Sequence, residues 1–117
     1  MRKGKKFCDL CGSIIPRDPE MNDGTPLMLV VRDDIWSSIS KSKKFICPDC
    51  MIKIWGRKFK YEELKSFSYG FIPCNLWYLR RNGLIPRAKE DIDYKKVMSF
   101  TKGRREFYFK YIKKLFS

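Results

Sequence analysis

Hydrophobic and polar positions alternate along this chain in short blocks, and each block predicts a short element. Phe7–Ile15 runs into Pro16-Arg-Asp-Pro-Glu-Met-Asn-Asp-Gly24, where two prolines and an Asp-Gly pair predict loop and turn. Leu27–Val31, entered after Pro26, has the uninterrupted aliphatic character of a buried strand. Asp33 or Asp34 is placed to cap a short helix whose apolar residues Ile35, Trp36 and Ile39 share a face. A lysine-rich loop then leads to Phe45-Ile46, expected as a short strand. Pro48 and Asp49 suit the first turn of a helix running through Met51, Ile52, Ile54 and Trp55 and stopping at Gly56. Tyr61–Phe67 predicts another short helix, Ser68–Pro73 a break, and Leu76–Arg81 a helical turn or two closed by Asn82-Gly83. The tail, Tyr94–Phe116, is helical by pattern, with Gly103 as the expected kink. Tyr108, Tyr111, Ile112 and Leu115 line its apolar side.

Composition narrows the possibilities. The 117 residues include 26 Lys+Arg against 13 Asp+Glu, a formal net charge of +13, and no histidine. Without imidazole, Ser-His-Asp and Cys-His nucleophile activation are excluded, as is a zinc-water site built on histidines. At 44% hydrophobic and 15% aromatic the chain is too apolar for a disordered tail. Its longest aliphatic run is five residues, against the roughly 20 a membrane span needs. No signal-type segment follows the basic start. The expectation is a non-enzymatic, cytoplasmic binding module, in a compartment where thiols stay reduced.

There, paired cysteines point to metal. Cys8-Asp-Leu-Cys11 and Cys47-Pro-Asp-Cys50 are two Cys-x-x-Cys pairs separated by 35 residues. Two intervening residues let both thiolates of a tight turn reach one tetrahedral zinc at about 2.3 Å, and two pairs close the coordination shell. Redox pairs or an iron–sulfur cluster would use the same residues, but neither pair follows a strand in a βαβ pattern, and the symmetric spacing favours structural Zn²⁺. Gly12 suits a knuckle that needs a positive φ. Lys5, Lys6 and Lys44 lie near enough in sequence to offset the charge of four thiolates. Cys74 has no local partner and is expected as a small buried hydrophobe.

The Cys-x-x-Cys-Gly knuckle, a strand-bearing insertion and a second Cys-x-x-Cys opening a helix together resemble a treble-clef zinc finger. Asp34-Ile-Trp36, Cys47-Pro-Asp-Cys50, Gly56-Arg57 and Glu63-Leu64 further resemble small zinc proteins of phage and bacterial genomes, over about residues 7–65. The resemblance implies an α+β fold: a zinc-stapled treble-clef core at residues 1–67 and a basic helical extension at 68–117 packed on it as one folding unit. The related HNH endonucleases cut with histidines that this chain lacks, so only the four ligands carry over.

Charge is unevenly spread. Residues 1–52 carry 9 basic and 7 acidic side chains, whereas residues 53–117 carry 17 and 6, net +11. Self-repulsion on that scale points to a polyanionic partner, of which nucleic acid is the commonest, DNA or RNA without sequence preference. The candidate phosphate contacts are Arg57, Lys58, Lys60, Arg80, Arg81, Lys102, Arg104, Arg105, Lys110, Lys113 and Lys114. Aromatics could offer stacking platforms, although Trp36, Trp55, Trp77 and Tyr78 are expected in the core. Asp33-Asp34, Glu62-Glu63 and Asp91/Asp93 could serve a metal-dependent nuclease, but helix capping and solvation account for them. The competing expectation is a phage-type interaction module that docks on a host complex such as RNA polymerase, the ribosome or a defence system.

Overall fold

The computed structural model describes residues 6–21, 24–65 and 73–117. Among the described residues there are six helices: α1 (Asp33–Ser40), α2 (Pro48–Trp55), α3 (Leu76–Arg81), α4 (Ile85–Glu90), α5 (Tyr94–Met98) and α6 (Lys102–Phe116). Single 3-10 turns sit at Tyr61–Glu63 and Pro73–Asn75. Among the described residues, β pairing is limited to three isolated antiparallel bridges: Phe7 with Ile14, Arg17 with Pro26, and Val31 with Leu64.

The expected strand at Leu27–Val31 is therefore an extended segment, not a ladder. Its backbone is satisfied from elsewhere. The Asn75 side chain, 1% exposed, accepts from the Val30 amide at 2.8 Å and donates to the Val30 carbonyl at 2.7 Å. It thereby stands in for a neighbouring strand. Phe45-Ile46 is likewise extended without pairing into a strand. The helix expected over Tyr61–Phe67 reduces to the turn Tyr61–Glu63; residues 66–72, with part of the expected break, lie outside the described residues.

Two further corrections concern helix ends. Arg32, not an aspartate, holds the cap position of α1, and Asp33 and Asp34 occupy its first turn, where negative charge suits the dipole. The tail breaks at 99–101, not at Gly103. There the Ser99 hydroxyl bonds back to the Lys96 carbonyl at 2.7 Å and Thr101 turns extended to start α6. Gly103 lies inside the first turn of α6. Helix α4, which opens on Ile85-Pro86, was not among the expected elements, although a proline suits a first helical turn.

One hydrophobic cluster joins both parts of the chain. Leu29, Val31, Ile35, Ile39, Ile46, Met51 and Leu64 pack with Leu76, Trp77, Tyr78, Leu79, Val97, Ile112 and Leu115. Polar anchors fix the large aromatics of α3: Trp77 Nε1 donates to the Met28 carbonyl at 2.8 Å and the Tyr78 hydroxyl to the Phe59 carbonyl at 3.0 Å. Trp77 and Tyr78 are buried, and Trp36, Trp55 and Cys74 pack partly buried against the same cluster. Burial on both sides of the chain is what presents the cysteine turns and α6 on one body.

A candidate metal centre and the placement of the cations

The first knuckle is built by backbone geometry. The Cys8 amide donates to the Ser13 carbonyl at 2.8 Å and the Gly12 amide to the Cys8 carbonyl at 3.0 Å. Gly12 closes this turn at φ +74°, in the left-handed region that glycine enters without a Cβ penalty. The second pair opens α2: Cys47 is its cap residue, Pro48 follows, and Gly56 ends the helix with φ +91°. This element is as the sequence predicts.

These two turns bring the four Sγ atoms within 4.8 Å of one another, with Cys11 and Cys47 3.8 Å apart. A tetrahedron with metal–sulfur bonds of about 2.3 Å has edges of about 3.8 Å, so the donor set and its span fit a zinc-type ion. The amides of Leu10 and Cys47 point at Cys8 Sγ from 3.4 and 3.3 Å, as donors to a thiolate do. Burial pushes the Cys8 thiol up, but the amides of Cys47, Cys11 and Leu10 outweigh it and hold the group at about 6. The Ser13 hydroxyl and amide lower Cys11. Burial raises Cys47 and Cys50, and for Cys50 the three neighbouring thiols raise it further. Four thiols this close cannot all ionise without a cation between them.

Asp9, which the spacing argument passed over, clamps the two knuckles together. Its Oδ2 accepts from the amides of Lys44 and Phe45 at 3.0 and 2.9 Å, while its own amide donates to the Phe45 carbonyl at 2.7 Å. Those amides hold its carboxyl below the usual carboxylate range. The readable signal was an acceptor side chain in a turn otherwise made of apolar and cysteine residues.

Beside the thiols lies a cleft of about 620 Å³ lined by Cys11, Cys47 and Cys50 together with Lys53, Lys58 and Arg81. These three cations are drawn from α2, the loop after it and the end of α3. Lys5, Lys6 and Lys44 were the expected counter-charges to the thiolates. Lys6 Nζ instead lies 4.9 Å over the Phe45 ring, and Lys5 is outside the described residues.

The other candidate cations separate into two groups. Arg57 makes two bonds to the Glu63 carboxylate at 2.8 and 2.7 Å, and its guanidinium lies 5.5 Å from the Trp55 ring centre. Arg80 and Lys114 converge on Glu20 Oε1 at 3.4 and 3.7 Å. Arg81 lies over Trp77. By contrast, Lys60, Lys102, Arg104, Lys110 and Lys113 make no ion pair among the described residues, and all are exposed. Arg105 Nη1 donates to the Met98 carbonyl at 3.1 Å.

The carboxylates are distributed among pairs and caps. Asp33 pairs with Lys65, Asp34 with Arg32, and Glu62 with Arg87. Asp93 Oδ1 caps α5 by accepting from the Lys96 amide at 3.1 Å. Asp91 lies against the Tyr61 hydroxyl and, with burial as the larger cause, raises its pKa.

No family model, curated protein or solved structure matches the chain. Among the described residues no helix is long and apolar enough to cross a membrane. The geometry defines a small, mainly helical protein with a four-cysteine cluster whose span fits a zinc-type ion.

Proposed function

We propose that this is a non-enzymatic, zinc-stabilised protein that binds nucleic acid through phosphate contacts of its C-terminal cations. In this reading Cys8, Cys11, Cys47 and Cys50 hold a structural Zn²⁺, which supplies folding energy and no open coordination position. In this reading the two knuckles and α2 form a treble-clef core, with residues 68–117 as its basic extension. Its cysteine motifs resemble those of small phage and bacterial zinc proteins.

The observation that carries the reading is the charge left over once internal pairs are made. Arg57, Arg80 and Lys114 are engaged by carboxylates, and Lys53, Lys58 and Arg81 line the cleft beside the cysteines. Besides Lys96 and Lys114, residues 94–117 hold six cationic side chains against the single acidic Glu106. Such a field attracts a polyanion and is destabilising without one. Binding of a labelled oligonucleotide by the zinc-loaded protein, followed by anisotropy, should weaken steeply as salt rises, because each phosphate contact releases counterion. Absence of binding at low salt, or indifference to salt, would refute the proposal.

A second reading rests on the first knuckle. Phe7 and Ile14 face each other across their bridge and are 53% and 46% exposed, with Leu10 at the turn. An apolar tip of this kind suits a protein partner, and a host complex captured stoichiometrically after nuclease treatment would favour that role.

A further inference from the structure

We infer that the nucleic acid bound by this protein is single-stranded, and that Tyr94 on α5 and Phe107 on α6 stack against its bases. The inference rests on the nucleic-acid reading above and specifies the form of the ligand.

It starts from where exposed aromatic rings occur. Among the described residues, four aromatics are strongly exposed: Phe7, Tyr94, Phe107 and Phe116. Three of these belong to α5 and α6, the two helices that carry the uncompensated cations. Tyr94 is 46% exposed and Met98, one turn further along α5, is 55% exposed, so the two side chains share a face. Phe107 is 42% exposed although Tyr108 and Tyr111 hold it edge-on at 5.4 and 4.9 Å. A ring that is fixed by its neighbours yet open to solvent loses little entropy when something lies on it.

The charges around it select the occupant. Arg104 and Lys110 stand three residues before and after Phe107, so they flank it on the same side of α6. The Arg105 bond to the Met98 carbonyl ties the first turn of α6 to the end of α5. Lys95, Lys102, Arg104, Lys110 and Lys113 make no ion pair among the described residues. Alternating cations and open rings match a chain that alternates phosphates and flat bases. A duplex offers phosphates, sugars and the edges of its bases but not their faces, which are stacked on each other, and so leaves exposed rings without a stacking partner. A single strand satisfies both sets, because every unstacked base has a face to offer.

The test uses the full-length, zinc-loaded protein with a fluorescein-labelled oligothymidylate of about 15 nucleotides and a duplex of equal length. We expect the single strand to bind at least about tenfold more tightly than the duplex at matched salt. Tyr94→Ala with Phe107→Ala should weaken single-strand binding by about tenfold or more while leaving duplex binding and the slope of affinity against salt unchanged. Phe107→Trp should retain it. Equal or tighter duplex binding, or wild-type affinity in the double variant, would overturn the stacking proposal and leave the phosphate-contact reading standing. Failure of both oligonucleotides to bind would overturn both. Anionic phosphatidylserine vesicles displacing the strand, with affinity lost in the same double variant, would assign the surface to lipid and overturn the inference.

Discussion

Lys114 donates its ammonium to the backbone carbonyl of Glu20, 94 residues earlier in the chain, and lies 3.7 Å from the same residue's carboxylate. Arg80 reaches that carboxylate from α3. One acidic residue in the first loop thus gathers the end of α6 and the end of α3. The pair is partly buried, so screening by water is incomplete and loss of the centre leaves two cations facing each other. Glu20→Gln should lower stability by about 1–2 kcal/mol, read as a drop of several degrees in the melting temperature. Lys114→Met should cost less, because Arg80 keeps a partner. Equal melting temperatures for wild type and Glu20→Gln would show that the staple contributes nothing.

Removal of the metal should be more damaging. A closed four-cysteine site converts metal affinity, of order 10 kcal/mol, into folding energy, and the core it supports is shared with α3 and α6. Strong chelators, or Cys47→Ser, should abolish cooperative melting and collapse the helical circular dichroism. Elemental analysis of the untreated protein should find one zinc per chain. Unchanged spectra after verified metal removal would contradict the assignment.

Asn75 makes the least replaceable polar contact. It is 1% exposed and satisfies both backbone groups of Val30. Asn75→Ala leaves the Val30 amide without a partner and its carbonyl with only the Lys65 amide at 3.1 Å, a loss of about 1–3 kcal/mol. Asn75→Asp keeps the acceptor but loses the donor and buries a charge, so it should be at least as damaging. Urea denaturation that shifts by less than about 1 kcal/mol would sink this account.

The Arg57–Glu63 pair has a defined pH window. Two guanidinium bonds, helped by the Lys60 amide at 2.7 Å, hold the Glu63 carboxyl down at about 2 despite burial. A depressed carboxyl stabilises the fold fully above its unfolded value near 4.5, and that contribution is lost as pH falls toward 2. Arg57 is 47% exposed, so Arg57→Gln should cost only about 1 kcal/mol. The difference in melting temperature between wild type and variant should hold constant from pH 8 to about pH 5 and narrow only below it. A gap that already closes near pH 6 would assign the effect to another group.

How much of this was legible before folding is seen in α2. Its start at Pro48, its stop at Gly56 and the thiols at its first turn are local facts, fixed by φ preference and a two-residue spacing. The same local reasoning failed at 99–101, where a serine hydroxyl and an extended threonine break the tail that apolar periodicity alone would continue to Phe116. It failed also at Leu27–Val31, because a segment rich in aliphatic residues reads as a strand whether its partner is a full strand or a single bridge to Leu64 and one asparagine side chain. Asp9 went unnoticed for a related reason: a clamp between two turns needs both turns in place.

The chain's amino acids alone determined four thiolate ligands, the lack of imidazole chemistry and an excess of cations toward the C-terminus. These depend on residue type and short spacing, which folding does not alter. Which cations remain available to a partner was decided only in three dimensions. Arg80 and Lys114 meet Glu20 because helices far apart in sequence end beside the same loop, whereas Lys110, exposed in the cleft that Glu20 also lines, makes no ion pair among the described residues. Charge neutralisation acts through space over a few ångströms, and no local pattern encodes that distance.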